Sequence, residues 1–498
     1  MTAFAERICE SPDVFDAKRG ADVLASVRKS LDEDPAATHA GKLLDMPPVA
    51  VFLTAVFSVS PFLAALSERS PDLLVSCLTE DPDHHLSKAG ADLEAGMAQA
   101  ASEAEASALL RGFKKRSALL TALADLGGVW TTAETLTGLS QAADISVQTA
   151  VRYLFRKAHE AGKLTSADTD GYFVIAMGKL GALELNYSSD VDLIVFYDPD
   201  RAHLAERVEP SAFFVKLTRD LVRLLQEQTK DGYVYRTDLR LRPDPGATQI
   251  ALSTDAGLTY YESFGQNWER AALIKARVAA GEGALGEDFL EQLSPFIWRK
   301  YLDFAAVADI HAMKRRVHAF KGHGAIAVRG HDIKLGRGGI RDIEFFVQTQ
   351  QLIAGGRHPE LRTRGTLLTL ARLAEGGWIE PKAAQELSEA YLFLRRVENR
   401  IQMIGDQQTH IIPADPQELD RLARLCGFAD TDAFGNALTA RFECEEGHYG
   451  ALFEKLPQPP SSVSGLLIGD EVEPDSLSAL EELGFENPGA ATEAIKAW

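Results

Sequence analysis

Residues 171–198 read GYFVIAMGKLGALELNYSSDVDLIVFYD, and this stretch decides the fold. Two apolar runs, Tyr172–Met177 and Val191–Tyr197, predict buried β-strands. Glycines and serines between them favour a loop. Asp190 and Asp192 stand at the end of that loop, and a spacing of two places both carboxylates on one face of a strand. The stretch therefore predicts a paired acidic site beside a glycine-bearing turn, which is a way to hold divalent cations against phosphate groups.

A third acid follows in residues 232–246, GYVYRTDLRLRPDPG. Alternation along this run predicts a strand that carries Asp238 on the same face as Arg240 and Arg242. Three carboxylates on two neighbouring strands would hold two Mg²⁺ ions together with substrate phosphates. The order of turn, Asp-x-Asp and distant strand-borne acid resembles polymerase-β-type nucleotidyltransferases. Those proteins usually have Gly-Ser or Gly-Gly at the turn, so Lys179 is expected to contact a phosphate or to face solvent.

Composition excludes several classes of protein. The chain has 498 residues and a net charge of −20, which argues against a polynucleotide polymerase or another general nucleic-acid binder. Four cysteines form no CxxC pair, so neither a disulfide framework nor a zinc site is expected. The apolar segment Val49–Leu66 is interrupted by Pro61 and predicts a buried helix rather than a membrane span. We expect a cytoplasmic protein without a nucleic-acid or membrane partner.

The chain divides into regions of different composition. We expect a helical region at 1–165, an α+β domain with a mixed sheet at 166–300 and a helical bundle at 301–455. A linker at 456–465 would lead into a further helical region at 466–498, which looks truncated. Further helices are predicted at Pro210–Thr229 and along 260–281.

Five motifs extend the resemblance beyond the first stretch. They are GKLGALELNYSSDVDLIVFYD (178–198), RTDLRLRPDPG (236–246), FGQNWERAALIKAR (264–277), GRGGIRDIEFFVQTQQL (336–352) and LRRVENRIQMIGDQQTHIIP (394–413). Together they closely resemble the glutamine synthetase adenylyltransferase/adenylyl-removing family, and the wording LNYSSDVDL resembles its N-terminal nucleotidyltransferase copy. The resemblance implies a polymerase-β-type mixed sheet domain embedded in mostly helical flanking domains. It also implies that orthophosphate attacks the adenylyl-tyrosine of glutamine synthetase and releases ADP, under the control of a PII signalling protein and glutamine.

The resemblance also implies site residues. The metal ligands are Asp190, Asp192 and Asp238, with Asp238 also able to act as a base. The residues implied to bind nucleotide or phosphate are Gly178, Lys179, Gly181, Ser189, Arg240, Arg242, Lys275 and Arg277. The two strand arginines have ion pairing as their alternative role, and the last two cations have a solvated helix face.

Other residues keep two interpretations. The turn Gly336–Arg341 precedes an apolar helix, where it would expose backbone N–H groups to a phosphate or to the protein substrate, or else cap the helix. Glu398 and Arg400 are expected in inter-helix ion pairs rather than in catalysis. Tyr187 and Trp268 are expected in the core rather than as adenine platforms.

The direction of the reaction stays open at this point, because adenylyl removal and ATP-dependent adenylylation use the same metals. A non-catalytic module that binds a PII-type protein is the third alternative. Half-buried carboxylates in register argue against it, since such a cluster is costly without cations.

Overall fold

The computed structural model describes residues 2–33, 42–299 and 327–455, with the backbone alone for 449–455. The predicted linker at 456–465 and the predicted region at 466–498 lie outside the described residues. So do residues 301–326 of the predicted helical bundle.

The N-terminal region is helical, as predicted. Its longest helix begins with a capping box, in which Thr131 and Glu134 satisfy each other's backbone N–H groups. Its helices are α1 (Phe4–Arg7), α2 (Ala17–Asp32), α3 (Pro47–Val59), α4 (Pro61–Arg69), α5 (Pro71–Thr79), α6 (Pro82–Gln99), α7 (Glu103–Leu126) and α8 (Thr132–Glu160), with a 3₁₀ turn at Lys42–Asp45.

The apolar segment Val49–Leu66 is buried, as predicted, but it forms two helices rather than one. Helices α3 and α4 meet at Ser60 with a bend of 119°. Pro61 causes the break, because it lacks the N–H group that a continuous helix requires. Among the described residues no single helix is long and apolar enough to cross a membrane, and this bent pair passes that test by length and composition alone.

A small mixed sheet confirms the α+β class. Its strands are β1 (Tyr172–Ala176), β2 (Asp190–Tyr197), β3 (Arg236–Asp238), β4 (Leu252–Ser253) and β5 (Arg277–Gly281). The order is β3-β2-β1-β5, with β4 also paired to β2. Strand β1 is antiparallel to both of its neighbours, whereas β2 is parallel to β3 and β4. The two strands predicted from the first stretch are therefore present and adjacent.

The two faces of the sheet enter different cores. In β1, Tyr172 and Val174 pack into a core shared with the N-terminal helices. The alternate residues Phe173 and Ile175 pack into a second core on the opposite face. That core is covered by α11 (Thr254–Ser263), α12 (Asn267–Leu273) and α13 (Gly283–Ile297), while α9 (Gly178–Gly181) and α10 (Pro210–Gln226) complete the region.

Two strand and helix predictions were wrong in extent. Residues 232–246 form a strand only at β3, because the chain turns immediately after Asp238. Residues 260–281 were predicted as one helix-like segment, but they end in β5. Antiparallel pairing of β5 with β1 outweighs the helix propensity of this alanine-rich run.

The C-terminal region is helical and has a core of its own. It contains α14 (Ile340–Ala354), a 3₁₀ turn at Pro359–Leu361, α15 (Thr366–Glu375), α16 (Pro381–Gly405), α17 (Pro416–Leu425) and α18 (Thr431–Lys455). Helix α16 is central to the site, because it also contacts α4 and α8 of the N-terminal region.

Candidate active site

The structure brings the three predicted acids together at one end of β2 and β3. The parallel register places Asp192 opposite Asp238, with Asp190 two residues earlier on the same strand. One carboxylate oxygen from each of the three lies within 4.8 Å of the others, and all three side chains are half-buried. We call this group the acidic corner.

Electrostatics at the acidic corner favour a cation. Burial, followed by the charges of Asp190 and Asp238, raises the pKa of Asp192 to about 7. Hydrogen bonds from Arg240 lower the pKa of Asp238 against the effect of burial. Carboxylate oxygens are the ligands that Mg²⁺ prefers, and a divalent cation would relieve the repulsion that acts on Asp192. The donor set therefore fits magnesium.

The glycine turn, which is the short helix α9 at Gly178–Gly181, lies next to the acidic corner. Gly178 has φ +54°, and a Cβ atom there would lie 3.0 Å from Oδ2 of Asp192. Glycine is thus needed both for the left-handed backbone and for room beside the carboxylate. Ser189 adjoins the corner, with its Oγ 3.5 Å from Oδ1 of Asp190. Gly181 serves packing instead, because a Cβ there would lie 2.0 Å from the carbonyl oxygen of Lys275.

Lys179 occupies neither of its two predicted positions. Its Nζ donates to Oε1 of Glu398 at 2.7 Å and to Oδ1 of Asn186 at 2.8 Å. The side chain is 11% exposed. Burial lowers the pKa of Lys179 to about 7, although Glu398 acts in the opposite direction. Its ammonium therefore links the turn to helix α16 rather than facing a phosphate or solvent.

The two arginines that follow Asp238 differ from each other. Arg240 is 84% exposed and pairs with Asp238, with 2.5 Å between Nη2 and Oδ2. Arg242 donates to the backbone carbonyl groups of Leu239, Gln249, Pro245 and Thr248. The ion-pair alternative is confirmed for Arg240. Arg242 instead holds the loop that replaces the predicted strand, so its predicted position beside Arg240 was wrong.

Lys275 and Arg277 are not on a helix face, and both are bound beneath the turn. Nζ of Lys275 lies 3.1 Å from Glu184 and 2.9 Å from Glu344, with the ammonium buried. Arg277 pairs with Asp144 at 2.9 Å. These side chains therefore do not lie on a solvated helix face, and their charges are already paired with acids of the chain.

Helix α16 holds the loop that leads into β2, and the sequence analysis missed this role. Oε1 of Gln402 accepts hydrogen bonds from Nδ2 of Asn186 at 2.5 Å and from the N–H of Ser188 at 2.7 Å. Oδ1 of Asn399 accepts from the N–H of Tyr187 at 3.0 Å. The available signal was ENRIQ, in which polar residues share a helix with an apolar face, and here those polar side chains are buried.

The ion pairs predicted for this motif are confirmed. Arg400 of α16 pairs with Asp125 of α7 at 3.1 Å. Glu398 pairs with Arg395 at 3.0 Å as well as with Lys179. Burial alone would raise the pKa of Glu398, but Lys179 and Arg395 hold it well below its usual range.

A segment after α16 reaches the acidic corner directly. Nε2 of Gln408 donates to Oδ1 of Asp190 at 2.9 Å. Nδ1 of His410 lies 3.0 Å from Oε1 of Glu398. The helical region therefore contributes to the surroundings of the predicted metal ligands.

The remaining predictions had mixed outcomes. Tyr187 is in the core, as expected, and its hydroxyl donates to the carbonyl of Ala118 at 2.9 Å. Trp268 is 42% exposed, so its core assignment was wrong. In the turn Gly336–Arg341, four N–H groups donate to carbonyl groups of residues 332–336, and the N–H of Gly338 donates to Oδ2 of Asp342. The capping interpretation fits this turn, and the expectation that its backbone N–H groups are exposed to an anion was wrong.

The sequence of this chain is similar to those of known protein families. Residues 51–292 match the family model for Glutamate-ammonia ligase adenylyltransferase, and residues 308–453 match that for GlnD PII-uridylyltransferase. The bifunctional glutamine synthetase adenylyltransferase/adenylyl-removing enzyme of Mesorhizobium japonicum is 48% identical over 492 residues, which are 97% of this chain and 50% of that protein. The same enzyme of Rhizobium meliloti is 48% identical over 499 residues, or 97% and 50% of the two chains. That of Brucella melitensis biotype 1 is 44% identical over 503 residues, or 99% and 51%.

The chain thus spans about half the length of the curated relatives it matches. The similarity extends over nearly the whole chain and includes the acidic corner, the glycine turn and α16. The chain belongs to the family of the bifunctional glutamine synthetase adenylyltransferase/adenylyl-removing enzymes.

Proposed function

We propose that this chain is a Mg²⁺-dependent nucleotidyltransferase of the polymerase-β type, with its mixed sheet embedded between helical regions. We propose further that it removes adenylyl groups from a tyrosine of glutamine synthetase by phosphorolysis. The observation that carries the proposal is the acidic corner, where three carboxylates from two parallel strands lie within 4.8 Å of one another. The names of the relatives support the choice of glutamine synthetase as the substrate.

The proposed reaction exchanges one phosphorus–oxygen bond for another. An oxygen of orthophosphate bonds to the phosphorus of adenylyl-tyrosine, and the bond from that phosphorus to the tyrosine oxygen breaks. ADP and free tyrosine are the products, and the proton that orthophosphate loses balances the one that the tyrosine oxygen gains. Mg²⁺ at the acidic corner would neutralise charge on the phosphate groups as they react.

The residues of the chain have separate tasks in this proposal. Asp190 and Asp192 hold the cation, and Asp238 either joins them or accepts the proton of orthophosphate. Arg240 pairs with Asp238 in the structure and is largely exposed, so it can turn to orthophosphate once Asp238 binds a cation. Gly178 keeps the space beside Asp192 open for a phosphate group.

The deciding experiment incubates the chain with adenylylated glutamine synthetase, Mg²⁺ and orthophosphate, and measures ADP together with the mass of the modified tyrosine peptide. We expect ADP from the unchanged chain and a rate lower by roughly a thousandfold for Asp192→Asn, since the main charge stabilisation of the reaction is lost. The matched control is Asp200→Asn, at an exposed turn after β2, which should leave the rate unchanged. ATP-dependent labelling of unmodified glutamine synthetase without any ADP release would instead assign the forward reaction. Neither ADP release nor ATP-dependent labelling by the unchanged chain would leave only a non-catalytic module, and equal ADP release by the unchanged chain and Asp192→Asn would overturn the role of Asp192.

A PII-type signalling protein is a further proposed partner. The similarity of residues 308–453 to a PII-uridylyltransferase family supports an interaction through the C-terminal helical region. Adding a PII-type protein should then change the rate of ADP release in the same assay.

A further inference from the structure

Lys334 is a half-buried cation that forms no ion pair with the described parts of the chain. It lies in the loop that precedes α14, and its backbone is fixed there. Oδ1 of Asp332 accepts a hydrogen bond from the N–H of Lys334 at 3.0 Å and another from that of Leu335 at 2.8 Å. A half-buried ammonium that no ion pair engages is available to an anion supplied from outside.

Backbone pairing brings this loop to the acidic corner. The N–H of Ile333 donates to the carbonyl of His410 at 2.9 Å, and the N–H of Ile412 donates to that of His331 at 2.8 Å. His410 in turn contacts Glu398, the partner of Lys179 in the glycine turn. Lys334 follows directly after this pairing.

The electrostatic surroundings agree with that placement. Burial is the main influence on the pKa values of Asp192 and Lys179, and the positive charge of Lys334 acts to lower both. Its ammonium is therefore near both the acidic corner and the glycine turn.

Five cations described above, which lie close to the turn, already have partners. Lys179, Lys275 and Arg277 pair with buried or half-buried acids, and Arg242 is bound to carbonyl groups. Arg240 pairs with Asp238. Of the other cations in this loop, Arg337 pairs with Glu446 and Arg341 is exposed, whereas Lys334 is half-buried.

We propose that Lys334 is a phosphate-binding residue, which the C-terminal helical region supplies to the acidic corner, and that its ligand is a phosphate group of the bound nucleotide. The inference rests on the proposed function, because a nucleotide at the corner is part of it. It adds a residue outside the sheet domain that contacts the substrate. An ammonium beside three carboxylates and their cation would bind the phosphate oxygens that the metal leaves free.

The test is titration calorimetry on the full chain, with ADP in the presence of Mg²⁺ as the first probe. We expect Lys334→Ala and Lys334→Gln to weaken ADP binding by about tenfold or more, which is the loss of one charge-assisted contact. Lys334→Arg, which keeps the charge, should restore most of the affinity. The matched control is Arg337→Ala, which removes an exposed cation of the same loop that pairs with Glu446.

Two further probes separate the sources of phosphate. Adenosine lacks a phosphate, so the alanine variant should bind it as the unchanged chain does. Orthophosphate with Mg²⁺ reports on the attacking group, and a loss confined to orthophosphate would overturn the assignment to the nucleotide. Equal ADP affinity in the unchanged chain and in both the alanine and glutamine variants, with melting temperatures preserved, would overturn the role of Lys334 and leave the proposed function standing. A chain that binds neither ADP nor orthophosphate would overturn both.

Discussion

Two groups of charged residues lie side by side in this protein and differ in their balance. The acidic corner contains three carboxylates, and among the residues that the structure describes only Asp238 forms an ion pair, with the exposed Arg240. The second group contains three cations and three acids that are buried together, and we call it the buried ionic cluster. Its members are Lys179, Glu184, Lys275, Glu344, Arg395 and Glu398.

The extent of charge compensation distinguishes charged residues that stabilise the fold from those that bind a ligand. In the buried ionic cluster each ammonium or guanidinium lies within 3.1 Å of a carboxylate, so charge is compensated within the chain. In the acidic corner the compensation is incomplete, and burial with like charges raises the pKa of Asp192 to about 7. A balanced group joins elements of the fold, whereas an unbalanced one calls for a ligand of opposite charge.

The largest effect on the free energy of unfolding is expected from a substitution in the buried ionic cluster. Glu398→Ala leaves Lys179 and Arg395 buried without their shared acid, so we expect a loss of about 3–5 kcal/mol in the free energy of unfolding. Urea denaturation of the metal-free chain measures it. The matched control is Glu160→Ala, which removes an acid from exposed pairs with Arg156 and Lys157 and should cost far less stability. Similar losses in the two variants would contradict the distinction between the two kinds of charge group.

Removing a charge from the acidic corner should raise the free energy of unfolding rather than lower it. Asp192→Asn removes a destabilising charge, so the metal-free variant is expected to be more stable than the unchanged chain by roughly 1–3 kcal/mol at pH 8. The same substitution should abolish most of the rise in melting temperature that Mg²⁺ gives the unchanged chain. Differential scanning calorimetry with and without Mg²⁺ measures both effects. A variant that is destabilised without metal would show that Asp192 has a structural partner.

The pH dependence follows from the same carboxyl group. Its pKa is about 7 in the folded chain and about 4 in an unfolded one, so the folded state favours the protonated form. Stability from this group is fully present below pH ~4 and is lost as the pH rises through ~7. The stability difference between Asp192→Asn and the unchanged chain, both without metal, should therefore be near zero at pH ~4 and reach its full size above pH ~8. If the stability difference does not vary with pH, it arises from packing rather than from the titration of Asp192.

The sequence was most informative where the pattern is local. The apolar runs of β1 and β2, the Asp-x-Asp spacing and the acid at Asp238 follow from strand alternation, and the structure places all three acids together. The capping box at Thr131 is equally local.

Pairing partners, by contrast, could not be read from a single segment. Lys179 looked like a phosphate ligand because the turn predicts one, but its partner Glu398 is 219 residues away. Residues after Ile274 looked helical because alanine and arginine favour helices, yet strand β1 offers them an edge to pair with. Arg242 looked like part of a strand until the chain turned after Asp238. For Lys179 and β5 a group distant in sequence decided the outcome, whereas Arg242 is held by carbonyl groups of its own loop.

The smallest effect on stability is expected at the boundary between the two groups, at Arg240. This side chain is 84% exposed and pairs with one acid of the corner, so Arg240→Ala should change the free energy of unfolding very little. Its effect on the proposed reaction should be larger, because Arg240 becomes available to orthophosphate when Asp238 binds a cation. We expect the KM for orthophosphate to rise several-fold with kcat little changed, and Arg240→Lys to restore part of the loss. If the KM stays constant, Arg240 belongs with the structural charges, and the acidic corner would be partly balanced even when the cation is bound.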